Sequence, residues 1–550
     1  MRKYFLLLVT IILSIMTACK PKTNIDLVLY NGKIYTVDSL FSTAEAMAVN
    51  NGKIVATGTT TQLQQQYNAE QTINLQGKFV YPGFIDAHCH FYGLALELQE
   101  ANLKGATSFQ MVIDRLKLHN QTYNPKWLLG NGWDQNLWQN KQFPENTLLN
   151  QTFPNIPVVL SRIDGHAVIA NNTALKIAEI DANTKINGGE VVLKNGKPTG
   201  VLIDKAAELL DNKIPHPPQA ELIKLLMQAE KSCLAVGLTT LADAGLSKSM
   251  VMLYDKMQKK NQLNLKIYAM LDPSTENIEY FVKKGIYQTQ KLHVCSIKLY
   301  ADGALGSRGA CLLKPYTDDP KNYGLMVESP QKLAQICELA YQYGYQINTH
   351  AIGDSANRII LDIYAHFLKQ TNNRRWRIEH VQFVDSADFT KFKTYSIIPS
   401  VQPTHATSDM YWAAQRLGPK RIKFAYAYKK LLQQNAWIAF GTDFPIENIA
   451  PLLTFYAAVF RKDLNGFPAQ GFQTQNAVSR QQALQAITIW AARACFEETQ
   501  KGSLELGKAA DFVILNKDIL TVSEKDILQT IVLKTYIDGK KVYSSSDDGN

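Results

Sequence analysis

The sequence has 550 residues, of which 46% are hydrophobic and only 19% are charged. At roughly 100–200 residues per domain, this length predicts more than one domain with a large buried core. The apolar content excludes intrinsic disorder as the dominant state. The 58 Lys and Arg residues against 48 Asp and Glu residues give a net charge of +10, and no long block of basic residues occurs. The charge pattern therefore gives no indication of a nucleic-acid partner.

The first residues of the chain have the pattern of a secretory signal. Arg2 and Lys3 precede the apolar run Tyr4–Ile15, which is shorter than the roughly 20 residues of a membrane-spanning helix. The following Met16–Cys19 resembles the lipobox of bacterial lipoproteins, in which the cysteine becomes the lipidated N-terminal residue. We expect a signal peptide over residues 1–19, lipidation at Cys19, and a cell-envelope location with the body of the protein outside the cytoplasm. The alternative is an ordinary secreted protein in which Cys19 is incidental.

Six further cysteines are scattered through the chain without a Cys-x-x-Cys spacing. Most of them lie in apolar segments, which favours buried free thiols over a disulfide framework. They are Cys89, Cys233, Cys295, Cys311, Cys337 and Cys495.

Both ends of the chain carry strand patterns with turn signals. In the N-terminal part, two pairs of short apolar runs flank Asn31-Gly32 and Asn51-Gly52, and each pair predicts a β-hairpin. The C-terminal runs Asp511–Leu515 and Thr535–Tyr543 have the same character. We expect a small β-sandwich domain built from residues 20–81 and 499–550.

The region between residues 82 and 498 alternates apolar strands with helical stretches. Eight such strands predict an α/β fold, a TIM-like (β/α)₈ barrel. The segment of approximately residues 101–230 is longer than one βα unit. Its length predicts an insertion after the first barrel strand, over one face of the barrel. The predicted strands are Gly83–His88, Thr239–Asp243, Lys266–Leu271, Ser296–Tyr300, Gln346–Thr349, Arg377–His380, Ile397–Ser400 and Trp437–Gly441.

Imidazole and carboxylate groups lie where these predicted strands end. His88 and His90 are two residues apart in an extended segment, so their side chains share a face and can hold one divalent metal. His350, His380 and Asp443 lie at the ends of three other predicted strands. Side chains at the carboxyl ends of barrel strands converge on one site, which makes a shared metal centre the expected arrangement.

Several motifs of the chain occur together in one known family of enzymes. They are Pro82–His90, Ser161–His166, Lys298–Arg308, His350–Asp354, Ile378–His380, Gly441–Pro445 and the closing segment Gly502–Phe512. In this combination the chain resembles the amidohydrolase superfamily of metal-dependent hydrolases. More narrowly, it resembles the amidohydrolase family 3 branch, which includes N-substituted formamide deformylase-like enzymes.

The resemblance implies a ligand set for one or two divalent ions, with Zn²⁺ as the expected metal. It places His88, His90 and Asp443 on the more buried ion, and His350 and His380 on a second ion. Lys298 occupies the position at which binuclear members carry a carbamylated lysine that bridges both ions. Because an ammonium group has no acceptor, Lys298 must be carbamylated, be neutral, or serve another purpose such as neutralising Asp302.

The implied reaction is the hydrolysis of a carbon–nitrogen bond, other than a peptide bond, in a small amide-like molecule. Metal-activated water attacks the substrate, and Asp443 serves as general base and then general acid. The sequence contains no Gly-x-Ser-x-Gly motif that would indicate a serine nucleophile.

Further residues are candidates for contact with the substrate. Asp164 and His166 lie in the insertion, and His166 is either a donor to the tetrahedral oxyanion or a structural histidine. Ser307 and Arg308 follow Lys298 on a glycine-rich loop, where Arg308 binds a substrate carboxylate or forms an internal salt bridge. Trp133 belongs to an aromatic segment that forms either a pocket wall or part of the insertion core.

Two other functions compete with this hypothesis. One is a deaminase of a cyclic amidine, or a ring-opening amidohydrolase, with the same metal site; Lys298 argues against the deaminase. The other is an envelope lipoprotein that binds a ligand without turnover, and the water-activating carboxylate Asp443 beside four imidazoles argues against it. The sequence leaves the oligomeric state open, a homo-oligomer included.

Overall fold

The computed structural model describes residues 22–546. The predicted signal segment and its cysteine, Cys19, lie outside these residues, so lipid anchoring stays a prediction. No helix within residues 22–546 combines the length and the apolar character that a membrane crossing requires. The six cysteines of this part of the chain are all free, and all but Cys311 are buried, as predicted.

Eight parallel strands form the barrel, and each pairs with its neighbours in chain order. All eight predicted strands are present, and the bounds of two agree with the prediction. The sheet closes because Asp443 N donates a hydrogen bond to His88 O (2.8 Å), and His90 N donates one to Phe444 O (2.8 Å). The strands are β1 (Phe84–Cys89), β2 (Leu238–Leu246), β3 (Lys266–Leu271), β4 (Leu292–Tyr300), β5 (Gln346–Ala351), β6 (Arg377–His380), β7 (Ile398–Val401) and β8 (Ala439–Phe440).

The close approach at this seam depends on glycine. A Cβ atom at Gly441, directly after β8, would lie 2.5 Å from His88 N and 2.8 Å from an Asp86 carboxylate oxygen. No side chain fits at that distance, so Gly441 lets the chain that carries Asp443 lie against β1.

Helices with one apolar face surround the barrel. Helix Pro330–Tyr343 is an example, because Ser329 caps its first turn, Pro330 occupies the first helical position and Gly344 ends it with a φ of 75°. The others around the barrel are Phe91–Glu97, Gln219–Ala235, Lys248–Lys259, Thr275–Tyr280, Asp354–Leu368, Phe389–Thr394, Pro403–Asp409, Ala413–Arg421, Tyr428–Asn435, Pro451–Phe460, Arg480–Ala486, Ile489–Ala494 and Glu524–Leu528, with 3₁₀ turns at Val282–Lys284, Ile422–Phe424 and Thr474–Asn476.

Segments from both ends of the chain form two further sheets, and the helix Thr60–Gln66 connects two strands of the four-stranded one. Phe79–Pro82 from the N-terminal part pairs antiparallel with Phe512–Leu515 from the C-terminal part, and one apolar core contains residues of both parts. The four-stranded sheet consists of Lys53–Gly58, Ala46–Asn50, Thr23–Tyr30 and Tyr67–Asn74, and the six-stranded sheet of Lys540–Ser544, Val532–Ile537, Phe512–Leu515, Phe79–Pro82, Lys33–Tyr35 and Thr43–Ala44.

One of the two predicted hairpins is wrong. Asn51-Gly52 joins an antiparallel pair of strands, as predicted. The strands on either side of Asn31-Gly32, however, belong to different sheets. Leu29 before the turn and Ile34 after it both enter the core between the two sheets. Burial of these side chains therefore favours a chain that crosses from one sheet to the other at this turn, and not a hairpin between neighbouring strands.

The insertion after β1 contains a six-stranded sheet with apolar side chains on both faces. Its strands alternate strictly: Val158 and Leu160 enter one core, and Val159 enters the other. The predicted boundary near residue 230 falls inside the helix Gln219–Ala235, whose buried leucines pack into the barrel core instead. The strands are Gly189–Lys194, Lys197–Asp204, Ala167–Ala170, Val158–Arg162, Leu128–Trp133 and Ala101–Asn102, and the helices are Phe109–Tyr123, Thr147–Thr152, Asn172–Ile177 and Lys205–Asp211, with a 3₁₀ turn at Gln135–Leu137.

A buried charge cluster lies near the start of β4, away from the strand ends that carry the histidines. Glu497 is 4% exposed and accepts a hydrogen bond from Lys501 Nζ (3.0 Å), and His293 Nδ1 lies 3.6 Å from it. Burial alone would raise the pKa of Glu497, but Lys501 and His293 together lower it to about 2. A pKa depressed in the folded state stabilises the fold above the ordinary glutamate pKa, and this stabilisation is lost as the pH falls toward about 2.

Glu497→Gln should therefore lower the free energy of unfolding by about 3 kcal/mol at neutral pH, because it leaves a buried lysine unpaired. The difference from the wild type should shrink as the pH falls below about 4.5, where the unfolded glutamate becomes protonated. Urea unfolding at pH 7 and at acidic pH measures both effects. Glu498→Gln is the matched control, since its pair with Arg375 is partly exposed and should contribute less than about 1 kcal/mol. Equal effects of the two variants at pH 7 would contradict the prediction.

Candidate active site

A cavity of about 870 Å³ lies between the carboxyl ends of the barrel strands and the insertion. The barrel contributes imidazole, lysine and carboxylate side chains to its wall. The insertion contributes Arg162, Asp164, His166 and Asp204. A concave site with converging polar groups at this end of a barrel is the expected place for catalysis.

His88, His90 and Asp443 form the first cluster in the cavity. Asp443 Oδ1 lies 3.2 Å from His90 Nε2 and 3.6 Å from His88 Nε2. The ligand atoms of the three side chains all lie within 4.8 Å of one another, which is close enough to hold one metal ion. Asp443 has a φ of 63°, a strained conformation for a residue other than glycine, and such strain is typical of functional sites.

His350 and His380 lie beside this cluster. The ring centroids of His350 and His380 are 4.6 Å apart, and those of His380 and His88 are 4.8 Å apart. His380 Nδ1 lies 3.9 Å from Asp443 Oδ2. The structure thus brings together all five imidazole and carboxylate groups that the sequence predicted as ligands.

Each of the four imidazoles has an oxygen atom next to one ring nitrogen. A ring N–H that donates to such an oxygen leaves the other nitrogen with a lone pair, which is the usual arrangement of metal-binding histidines. The pairs are His88 Nδ1 with Glu379 Oε2 (2.8 Å), His90 Nδ1 with Ala244 O (3.3 Å), His380 Nδ1 with Gln402 Oε1 (2.8 Å) and His350 Nε2 with Gly303 O (3.5 Å).

The electrostatics of the cluster fit a divalent cation. Burial lowers the pKa of His88, His350 and His380 well below the ordinary value, so these rings are neutral at pH 7. Burial would raise the pKa of Asp443, but the close contact with His90 Nε2 and the surrounding imidazoles outweigh it and give a pKa of about 2. Asp443 Oδ1 is buried and has no hydrogen-bond partner in residues 22–546. Neutral imidazoles around an unpaired carboxylate oxygen are the donor set that Zn²⁺ prefers.

Lys298 lies on the floor of the cavity, at the end of β4. Its Nζ is 3.2 Å from His88 Nε2 and 4.5 Å from the centre of the Tyr300 ring. Burial lowers the pKa of Lys298 to about 8 despite the charges of Glu379 and Asp443, which act in the opposite direction. Asp302 accepts hydrogen bonds from the backbone N–H groups of Ile352, Gly353 and Cys311. Asp302 is therefore not neutralised by Lys298, which was one of the alternatives that the sequence left open for this lysine.

The insertion places His166 opposite this cluster. His166 Nδ1 lies 2.7 Å from Asp204 Oδ1, and its ring centroid lies 4.9 Å from that of His350. Burial lowers the pKa of His166, but the hydrogen bond with Asp204 and the charge of that carboxylate raise it above the ordinary value overall. Asp164 also lines the cavity, where it accepts a hydrogen bond from Arg162 (2.6 Å) and one from the backbone N–H of His166 (3.2 Å). His166 can therefore present a ring N–H to the cavity.

A sequence model of the amidohydrolase family matches residues 71–543 of the chain. The chain belongs to the amidohydrolase family. It is 34% identical over 544 residues to the Arabidopsis thaliana protein LONG AFTER FAR-RED 3, covering 94% of this chain and 91% of the relative. It is 25% identical to the N-substituted formamide deformylase of Arthrobacter pascens, covering 94% and 97% of the two chains.

A solved structure is similar to this amidohydrolase over nearly its whole length. An uncharacterized metal-dependent hydrolase from Pyrococcus horikoshii OT3 superimposes with a TM-score of 0.75 at 27% identity, covering 90% of this chain and 99% of the other. Together with the family match, this similarity confirms the prediction of a metal-dependent hydrolase on an α/β barrel.

The site of this amidohydrolase also contains a histidine that the sequence analysis missed. His405 lines the cavity, with Nε2 3.6 Å from Asp443 Oδ2. It lies four residues after the end of β7, in the first turn of the helix Pro403–Asp409. The sequence signal for such a residue is a histidine in the first helical turn after a barrel strand and not at the strand end.

Three residues predicted to contact substrate do not line this cavity within the part of the chain that the structure describes. Ser307 is buried, and its hydroxyl donates to Ala304 O (3.3 Å). Arg308 forms a salt bridge with Asp318 (2.9 Å), which was the stated alternative. Trp133 is fully buried in the insertion core, and its indole N–H donates to Leu160 O (2.8 Å). Their polar groups are already bonded within the protein. For Arg308 and Trp133 this agrees with the alternatives of an internal salt bridge and an insertion core, and the contact of Ser307 gives no support for substrate binding.

Proposed function

We propose that this amidohydrolase cleaves a carbon–nitrogen bond, other than a peptide bond, in a small amide-like molecule. The observation that carries the proposal is the cluster of His88, His90, His350, His380 and Asp443 at the floor of a cavity large enough for a small molecule. The similarity to an N-substituted formamide deformylase supports an amide as the substrate.

The residues of the cluster, together with Lys298, divide into two adjacent groups for binding metal. We propose that His88, His90 and Asp443 hold one divalent ion, and that His350, His380 and a carbamylated Lys298 hold a second. Zn²⁺ is the ion that neutral imidazoles and a carboxylate favour. Bound there, such an ion would lower the pKa of a water molecule and polarise the substrate carbonyl.

Asp443 is the group that moves the proton. Its carboxylate is ionised at neutral pH because its pKa is about 2, and its Oδ1 lacks a hydrogen-bond partner among the described residues. We propose that Asp443 accepts a proton from the attacking water and delivers it to the leaving nitrogen. The bond from carbonyl carbon to nitrogen breaks, and the products are a carboxylic acid and an amine.

His166 stabilises the charge that develops on the substrate oxygen. Asp204 accepts the hydrogen bond from His166 Nδ1 and raises the pKa of the ring. In the protonated ring, the second N–H, on Nε2, is available to an acceptor in the cavity. A fixed N–H that points to an oxyanion is a strong catalytic contribution, because it needs no reorganisation during the reaction.

A panel of small substrates tests the proposed reaction. The enzyme purified with Zn²⁺ should release free amine from N-formyl or N-acetyl derivatives of primary amines, as measured with an amine-reactive dye. Asp443→Asn, purified in the same way, is the control for contaminating hydrolases. Release of ammonia from cyclic amidines, without amine release from any amide, would contradict the proposal and favour a deaminase. Turnover of no amide or amidine would contradict it as well.

A further inference from the structure

His405 lies in the cavity beside the four imidazoles predicted as ligands, and its position allows two different functions. His380, His405 and Asp443 have ligand atoms within 4.8 Å of one another, so distance alone would permit a metal ion there. The rings of His380 and His405 are nearly parallel, at 22°, with centroids 5.9 Å apart. Hydrogen bonding decides between a metal ligand and a hydrogen-bond donor.

The partner of His405 differs in kind from the partners of the other four histidines. Each of those rings has an oxygen atom beside one nitrogen, which accepts the ring N–H and leaves a lone pair for a metal. His405 Nδ1 instead lies 3.0 Å from Gln382 Nε2, the donor nitrogen of an amide. Two donors cannot bond to each other, so His405 Nδ1 is the acceptor in this contact. In a neutral imidazole the proton is then on Nε2.

The Nε2–H of His405 has no acceptor within the described part of the chain. His405 is 7% exposed, and Nε2 is buried without a hydrogen-bond partner. The carboxylate oxygen nearest to it, Asp443 Oδ2, is 3.6 Å away, beyond normal hydrogen-bond distance. A buried N–H without a partner is costly. An acceptor that satisfies it has to enter the cavity beside Asp443.

We propose that His405 is a catalytic residue that donates its Nε2–H to the substrate oxygen and does not bind metal. The inference rests on the proposed function, because Asp443 activates the water and thereby fixes where the carbonyl carbon lies. His166 and His405 then approach the substrate from two sides of the cavity, one from the insertion and one from the helix after β7. Gln382 is a positioning residue that fixes the tautomer of His405.

Two measurements on three variants test this inference. For the N-formyl amine that the wild type cleaves fastest, His405→Ala should lower kcat about 10²–10³-fold, the loss expected for one oxyanion donor. KM should change little, and the metal content per chain, measured by elemental analysis, should equal that of the wild type. His405→Gln keeps an N–H at about the same distance and should recover at least about tenfold of the lost kcat. His366→Ala changes an exposed histidine outside the cavity and should leave both quantities unchanged.

A fall in metal content in His405→Ala, with His366→Ala unaffected, would overturn the inference by making His405 a ligand. An unchanged kcat in His405→Ala would overturn it equally. If the wild type cleaves no substrate of the panel, the proposed function has failed. The metal content then still decides independently whether His405 binds metal.

Discussion

Replacement of Asp443 by asparagine should lower kcat by about 10⁴-fold, the upper end of the range for loss of a general acid–base group. The carboxylate lies between the two histidine groups and is ionised at neutral pH, with a pKa of about 2. An amide cannot accept the proton of the attacking water, and its single neutral oxygen is a poorer metal ligand. Steady-state kinetics at pH 7 with the best amide substrate measures the loss.

Asp409→Asn is the matched control for this prediction. Asp409 also lines the cavity, but its carboxylate accepts a hydrogen bond from Tyr426 (2.8 Å) and is not part of the histidine clusters. We expect a change in kcat of less than about tenfold, since the residue transfers no proton in the reaction. A loss in Asp443→Asn no larger than that in Asp409→Asn would assign the proton transfer to another group.

The barrel could be predicted because its strands are buried along nearly their whole length and most of them contain runs of apolar residues. Strands that are covered by helices on one side and by the barrel interior on the other have no face exposed to solvent, as in β3 (Lys266–Leu271), whose six residues are all buried. The hairpin predicted at Asn31-Gly32 shows the limit of this approach. The Asn-Gly signal describes the turn itself, whereas the pairing of the flanking strands depends on a core that includes residues about 480 positions away, such as Phe512 and Ile514.

The candidate ligands could be predicted for a similar reason. A side chain at the carboxyl end of a barrel strand points to the common site, whatever the rest of the sequence contains. Substrate contacts depend instead on which loop residues already have partners. Arg308 is engaged by Asp318, ten positions further along the chain, and no local pattern distinguishes such an arginine from a free one. His405 was missed because it reaches the cavity from the helix that follows its strand.

The metal content should be about two divalent ions per chain in the wild type and one or fewer in Lys298→Ala, as expected of a bridged two-metal site. Lys298 lies on the cavity floor next to His88 Nε2, at a place where an ammonium group would repel a cation. A carbamate on Nζ would provide carboxylate-type oxygens in the same place. Elemental analysis of protein purified in the presence of bicarbonate and Zn²⁺ measures the ions per chain.

Two further variants separate the bridging group from the loss of a lysine. Lys298→Glu supplies a carboxylate without the need for carbon dioxide, so it should bind more metal than Lys298→Ala, with no dependence on bicarbonate. Lys205→Ala removes another lysine that lines the cavity, one already paired with Glu328, and should keep the wild-type metal content. One ion in the wild type, unchanged in Lys298→Ala, would remove Lys298 from the metal site. A single ion held by His88, His90 and Asp443 would then be enough to activate water. Cyclic amidines would replace amides as the preferred substrates, because the bridging lysine is the feature that argues against a deaminase.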